Sequence, residues 1–232
     1  MENYYGIDGI IGLETKMINL FKTTKDHISY WKNRKINWND HYTATWDHPH
    51  RQFIIDKLKT WKWISVIEVG CASGPNLVKI VKEFPRADVG GVDVNEDAIN
   101  TARSVFTEIF KNTVRGAWFK VNSGDNMVIS DDATDIVLSD MTLIYVDRKD
   151  IKKHLLEMKR VTRNRIMLME FHHKSWFKRL ALKLNSGYNS YNYKKLLTEL
   201  GFHNITIDKL PPEMWDGHEP QKTYAYLITA QK

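Results

Sequence analysis

Residues 66–80 read VIEVGCASGPNLVKI. Val66 to Val69 is an apolar run holding one acid, Glu68. It breaks at Gly70 and stays small and polar to Asn76. Leu77, Ile80, Val81 and Phe84 then recur at helical spacing. Gly70 and Gly74 allow a tight turn and a close backbone approach. Pro75 suits a first helical turn, where a missing N–H costs little. The stretch is a strand, a glycine turn and a helix. A buried strand that stops this sharply, just after an acid, has something lying across its end.

The same alternation continues to the C-terminus. "DVGGVDV" is a second strand, ending at Asp93, and "NEDAINTARSVFTEIF" a helix that Asn95 caps, with acids in its first turn. "AWFKVN" and "DIVLSD" read as strands three and four, "DRKDIKKHLLEMKRV" as a helix and "RIMLMEF" as strand five. "NYKKLLTELGF" is a helix that Gly201 ends. "NITIDKL" and "YAYLITAQ" are strands six and seven, joined by the Pro-rich "PPEMWDGHEP" without a helix. Buried strands alternating with amphipathic helices predict an α/β fold with a doubly wound, seven-stranded, mostly parallel sheet. The last two strands predict an antiparallel C-terminal hairpin.

Residues 1–63 differ in composition. They hold five of the eight Trp, together with Tyr30, Tyr42 and several His. Helical spacing puts Ile18, Phe21 and Ile28 on one face. We expect an N-terminal helical cap over 1–63 and a Rossmann-like domain over 64–232.

The 232 residues are 42% hydrophobic and 27% charged, ordinary for a soluble protein. No run reaches the length a membrane span needs, and the first residues lack the pattern of a signal peptide. One cysteine, Cys71, makes neither an internal disulfide nor a thiolate metal cluster, which fits a reducing, cytoplasmic setting. Cys71 reads as a packing residue. The net charge is +6, and residues 148–209 hold 15 Lys/Arg against 5 Asp/Glu. That excess would suit RNA or another anion, or simply a solvated helix surface.

In such a sheet a ligand sits at the carboxyl ends of the strands. Asp93 follows Gly70 by 23 positions, placed to accept hydrogen bonds from a ribose diol. The glycine spacing is wrong for G-x-G-x-x-G, which disfavours a nicotinamide dehydrogenase, and no phosphate-binding P-loop is present. What fits is acid-x-G-x-small-x-G, from Glu68 to Gly74.

Four blocks in this order, "VIEVGCASGPN", "GVDVNEDAI", "VNSGDNMVISDDATDIVLSD" and "YKKLLTELGF", with a closing hairpin, resemble class I S-adenosylmethionine-dependent methyltransferases. The resemblance runs from about Ile64 onward. It implies that Glu68, Gly70, Ala72 and Gly74 line the methionine and ribose end of S-adenosylmethionine. Asp93 corresponds to the acid holding the ribose, with Val94 beside the adenine. Asp125, with Asn126, corresponds to the acid near the adenine amine, although "NSGDN" could equally be a simple turn. Asp140 and Met141 fall where the family places cofactor and substrate contacts. One departure is Ala72, where the family carries glycine. "SDMT" after strand four lacks the N-P-P-[YF] of enzymes that methylate DNA amines, which leaves RNA open.

The cap adds candidates by composition and position. Trp46 could close over the methionine end, and Arg51 could pair with its carboxylate. His41, His48 and His50 lie within ten residues, but no matching ligands accompany them, so no metal is expected. For proton removal the candidates are Glu170 and His172, ending strand five, and His41 or Tyr42 in the cap. "HHKSWFKRLALKLNSGYNSYNY" is where the family builds acceptor specificity, and an amphipathic helix packed on the sheet is the simpler reading.

The leading expectation is methyl transfer to the O or N of a small-molecule acceptor. Alternatives are another use of S-adenosylmethionine in the same fold and a non-catalytic RNA-binding module. The acceptor and the oligomeric state stay open.

Overall fold

The computed structural model describes residues 21–111, 116–215 and 217–232. Ile18 and its proposed place on a helix face lie outside them. Three helices come first: α1 (Thr24–Asn33), α2 (Trp38–Thr45) and α3 (His50–Lys59). Thr23 and Asp26 close a reciprocal capping box on α1, and Asn37 caps α2. Then β1 (Ser65–Val69), α4 (Pro75–Glu83), β2 (Asp88–Asp93), α5 (Glu96–Phe110) and β3 (Ala117–Val121) follow. After them run β4 (Thr134–Asp140), α6 (Ile151–Val161) and β5 (Thr162–Phe171). The chain ends with α7 (Trp176–Ser186), α8 (Tyr193–Glu199), β6 (His203–Lys209), α9 (Glu219–Tyr224) and β7 (Ala225–Gln231).

The sheet order is β3-β2-β1-β4-β5-β7-β6. Strands β1 to β5 pair in parallel, and β7 runs antiparallel to both β5 and β6. The seven strands and the antiparallel ending agree with the sequence pattern. The connection between β6 and β7 differs, because it contains the short helix α9. Strand order reverses beside β1, where β2 and β4 flank it, and this opens a crevice at the carboxyl ends.

Side chains alternate across the sheet. Val66, Val89, Ile136, Leu138, Met167 and Met169 face one layer, built from α3, α4 and α5. Ile67, Val69, Val92, Val137, Ile166 and Leu168 face the other, with α6 and α8. Register carries that alternation between strands: Glu68 pairs with Gly91 and Leu138, and Asp140 with Met169. Glu68, Asp93 and Asp140 therefore share one face. Helix α3 gives Ile54, Ile55 and Leu58 to the same core.

Helix α7 departs from the packed amphipathic helix expected there. It buries Leu182 and Lys183, while Trp176 and Phe177 are exposed. The basic segment 148–209 is broken up by ion pairs, among them Lys152–Glu199, Lys153–Asp125, Arg160–Glu157 and Arg163–Asp135.

Candidate cofactor and acceptor site

A cavity opens at the ends of β1, β2 and β4, with α1 and α2 over it. It encloses about 1360 Å³, counted out to solvent at its mouth. Its floor is the glycine turn. Gly70 has φ +74°, and a Cβ there would lie 2.0 Å from Thr142 Oγ1. Only glycine lets the turn pass this close. Ala72 also sits at positive φ, +47°. Its N–H donates to Asp93 Oδ2 at 2.9 Å, which holds the loop. Gly74, at φ +81°, begins α4.

Asp93 ends β2. Its other oxygen accepts the Asn95 N–H at 2.9 Å. Burial pushes its carboxyl up, and the Asn95 and Ala72 N–H groups pull against that. Val94 lines the wall beside it.

A buried polar cluster joins the cap to the strand ends. Asp140 Oδ2 lies 2.8 Å from His50 Nε2 and accepts from Arg51 at 3.0 Å and from Asn76 at 2.9 Å. Arg51 also donates to the Thr45 carbonyl and to Asn76 Oδ1. Asn76 completes the link by donating to Glu68 Oε1 at 2.6 Å. Burial pushes the Asp140 carboxyl up, but the neighbouring His50 and Arg51 and the Asn76 amide outweigh it and hold the acid ionised. Glu68 is 2% exposed, and burial pushes it up to about 8.

Two oxygens of this cluster, Glu68 Oε2 and Asp140 Oδ1, are buried without a protein partner. Buried polar atoms are nearly always paired, so these two oxygens at the strand ends are exceptions. Glu68, Gly70, Ala72, Asp93, Val94, Arg51, Asp140, Met141 and His41 all line the cavity. The acceptors and the open turn suit a ligand that brings hydrogen-bond donors.

Other expected residues are elsewhere. Trp46 is not part of the cavity wall; Lys82 lies 4.1 Å over its ring. Asp125 turns outward to Lys153 at 2.7 Å and accepts from Ser123, and Asn126 is exposed. Asn122, Ser123 and Gly124 line the wall in their stead. Glu170 and His172 miss the cavity because they have the opposite strand parity to Met169, the partner of Asp140. Glu170 is buried and accepts from Ser139 and from the Thr142 and Leu143 N–H groups, so it braces the turn after β4. His172 Nδ1 accepts the Tyr193 N–H.

Sequence reasoning did not single out Asn76, Thr142, His27, Trp31, Trp38 or Gln221 as site residues, all of which line the cavity. Only "PN" after the glycine turn carried a local signal for Asn76. His27, Trp31, Tyr145 and Tyr188 form a ring-lined wall, with Tyr145 centred 5.3 Å from His27, 5.2 Å from Trp31 and 5.5 Å from Tyr188. Burial pushes His41 down to about 4, helped by the Arg51 charge. Among the described residues no cluster of His, Cys, Asp or Glu could hold a metal ion.

Fold and site together describe an α/β protein with a polar cavity at the end of its first strand. Residues 66–165 match the family model described as a methyltransferase domain. The chain has the fold of solved class I, S-adenosylmethionine-dependent methyltransferases. No curated protein matches its sequence. Solved structures with the same fold include magnesium protoporphyrin IX methyltransferase from Synechocystis with bound S-adenosylmethionine. That protein is 13% identical, with a TM-score of 0.59 over 97% of this chain and 100% of that one. Geranyl diphosphate C-methyltransferase from Streptomyces coelicolor is 15% identical, with a TM-score of 0.65 over 90% and 97%. A methyltransferase from Methanosarcina mazei is 20% identical, with a TM-score of 0.59 over 77% and 96%. Among the described residues no helix is long and apolar enough to cross a membrane.

Proposed function

We propose that this chain transfers a methyl group from S-adenosylmethionine to the O or N of a small-molecule acceptor. The observation that carries the reading is the sharing of one sheet face by Glu68, Asp93 and Asp140 around the glycine turn, with two carboxylate oxygens still unpartnered. When bound, the cofactor supplies an electrophilic methyl on a sulfonium.

In this reading Asp93 accepts from the ribose hydroxyls, and Val94 packs beside the adenine. Glu68 and Asp140 meet the ammonium of the methionine tail. Arg51 holds Asp140 and stands near the tail's carboxylate. The acceptor's lone pair bonds to the methyl carbon as the carbon–sulfur bond breaks, and that bond's electrons stay on sulfur. A hydroxyl acceptor's proton passes to His41, the one base candidate from the sequence that lines the cavity. The imidazole is neutral and so able to accept it, although burial and the Arg51 charge, which hold it down to about 4, make it a weak base. Acceptors of the fold's other members, a porphyrin and geranyl diphosphate among them, are too unlike each other to choose one for this chain.

Calorimetric titration with S-adenosylmethionine tests the cofactor assignments. Wild type should bind in the micromolar range, and Asp93→Ala should lose at least about tenfold. Equal affinity in the variant would remove Asp93 from the site.

A further inference from the structure

Helix α7 turns its apolar side to solvent. Its buried residues are Leu182 and Lys183. The Lys183 ammonium donates to the Lys22 and Gly187 carbonyls, and the Tyr224 hydroxyl donates to the Lys178 carbonyl. Those contacts hold the inner side. Phe177, Leu180, Ala181 and Leu184 recur at i, i+3, i+4 and i+7, which is one helix face. Phe177 is 66% exposed and Leu180 38%, and Trp176, at the edge of the same face, is 57% exposed. Ala181 is exposed and Leu184 half-buried. The Trp176 and Phe177 rings are centred 3.9 Å apart. Single exposed apolar residues are ordinary, but an apolar stripe along most of a helix marks a docking surface.

The charge around that stripe selects its partner. Residues 171–198 hold six Lys/Arg and no Asp or Glu. On α6 the cations are neutralised, as Lys152 is by Glu199 and Lys153 by Asp125. Lys174, Lys178 and Lys209 enter no ion pair among the described residues. All three are exposed. Lys178 borders the stripe, and Lys174 precedes the first turn of α7. Lys209, at the end of β6, reaches the same end of the helix: burial lowers His173, and the charges of Lys178, Arg179 and Lys209 add to that. The helix N-terminus adds its own partial positive charge. The surface is apolar along its length and positive at one end.

A nucleic acid would meet the lysines and the rings, but it offers nothing to Leu180, Ala181 and Leu184. A bilayer with anionic lipids offers acyl chains to the stripe and charged head groups to the lysines. Tryptophan suits the boundary between the two. Eleven residues are too few to span a bilayer and enough to lie in its surface. We propose that α7 is a membrane-docking helix, with Trp176, Phe177, Leu180, Ala181 and Leu184 entering the surface of an anionic bilayer and Lys174, Lys178 and Lys209 meeting its head groups. This docking does not depend on the methyltransferase reading. Helix α7 runs through Gly187 into Tyr188, a residue of the cavity wall, so a docked helix holds the cavity close to the lipid.

Sedimentation of the full-length protein with vesicles tests the docking, using phosphatidylcholine alone and with about one-third phosphatidylserine. The anionic vesicles should bind at least about tenfold more tightly, and added salt should weaken the binding. Trp176→Ser combined with Phe177→Ser should weaken it at least about tenfold. Lys178→Glu should weaken it about tenfold, whereas Lys120→Glu, the same charge change on β3 at the far edge of the sheet, should alter it less than about twofold. All four side chains are exposed, so unfolding midpoints should match wild type. No binding to the anionic vesicles, equal binding to the neutral ones, or binding that the Trp176 and Phe177 substitutions leave intact overturns the proposal. Tighter binding of single-stranded polyuridylate also overturns it, because the face would then serve a nucleic acid. A dimer in solution that the same two substitutions dissociate overturns it as well, because a second copy would then cover the stripe. Affinity for S-adenosylmethionine should be the same in all these variants, so failure of the docking and failure of the cofactor assignments stay distinguishable.

Discussion

At the scale of single residues, the site depends on how closely the backbone can approach. Gly70 shows this most plainly. Substitution by alanine would force a Cβ to 2.0 Å from Thr142 Oγ1, at a φ that side chains avoid. Gly70→Ala should cost about 3 kcal/mol in denaturant unfolding. It should also push Thr142 off Glu170, whose carboxyl accepts the Thr142 N–H. An unchanged unfolding midpoint would show that the turn relaxes. Glu68, Gly70 and Asp93 were legible in the sequence because each sits in a local pattern of strand end, turn and helix start. Asp125 was not, because its direction depends on Lys153, a residue of another element. Trp46 looked like a lid residue by composition, and only its contact with Lys82 shows otherwise.

Between elements, Asn95 is the joint. Its side-chain oxygen accepts the Ala98 N–H and caps α5, as the sequence predicted. Its amide donates to the carbonyls of Trp31 and Arg34 at the end of α1. Asn95→Ala should cost about 1–2 kcal/mol from the lost cap alone. Beyond that it should speed hydrogen exchange in α1 while β1 and β2 stay protected, because their pairing does not involve the side chain. Exchange unchanged in α1 would mean that other contacts hold the helix. Element types and order were legible from periodicity. Which side chains meet was not: Glu170 and His172 end the right strand at the right edge, but register with β4 turns them to the far face. Gln221 was less visible still, since α9 lies in a stretch that reads as a Pro-rich linker.

For the molecule as a whole, buried ionisable groups set a pH optimum of stability. Burial pushes Glu68 and Glu170 up to about 8. Their contribution is full below the ordinary carboxyl value and is lost as pH rises toward 8. Burial pushes His27, His41, His48 and His172 down to about 4. Their contribution is present above the ordinary histidine value, 6.5, and is lost as pH falls toward 4. The lowered histidines, His50, His154, His173 and His218 among them, favour rising pH below 6.5, and the raised acids, Asp93 included, oppose it, so Tm should peak near pH 6.5 in a thermal scan across pH 4–9. A Tm still climbing to pH 8 would show that both acids ionise in the fold. This balance was invisible in the sequence, because burial of each acid and histidine is a property of the finished packing. One contact chain has a kinetic consequence. Asp93 holds the Asn95 N–H, and Asn95 holds the carbonyl of Trp31. Asp93 and the part of the cavity wall that Trp31 supplies are thus linked through one side chain. On the proposed assignments a ligand at Asp93 would be felt at that wall, and the expected order of turnover is nucleoside first in and last out, with the methylated product leaving ahead of it. Product-inhibition patterns would show S-adenosylhomocysteine competing with S-adenosylmethionine alone.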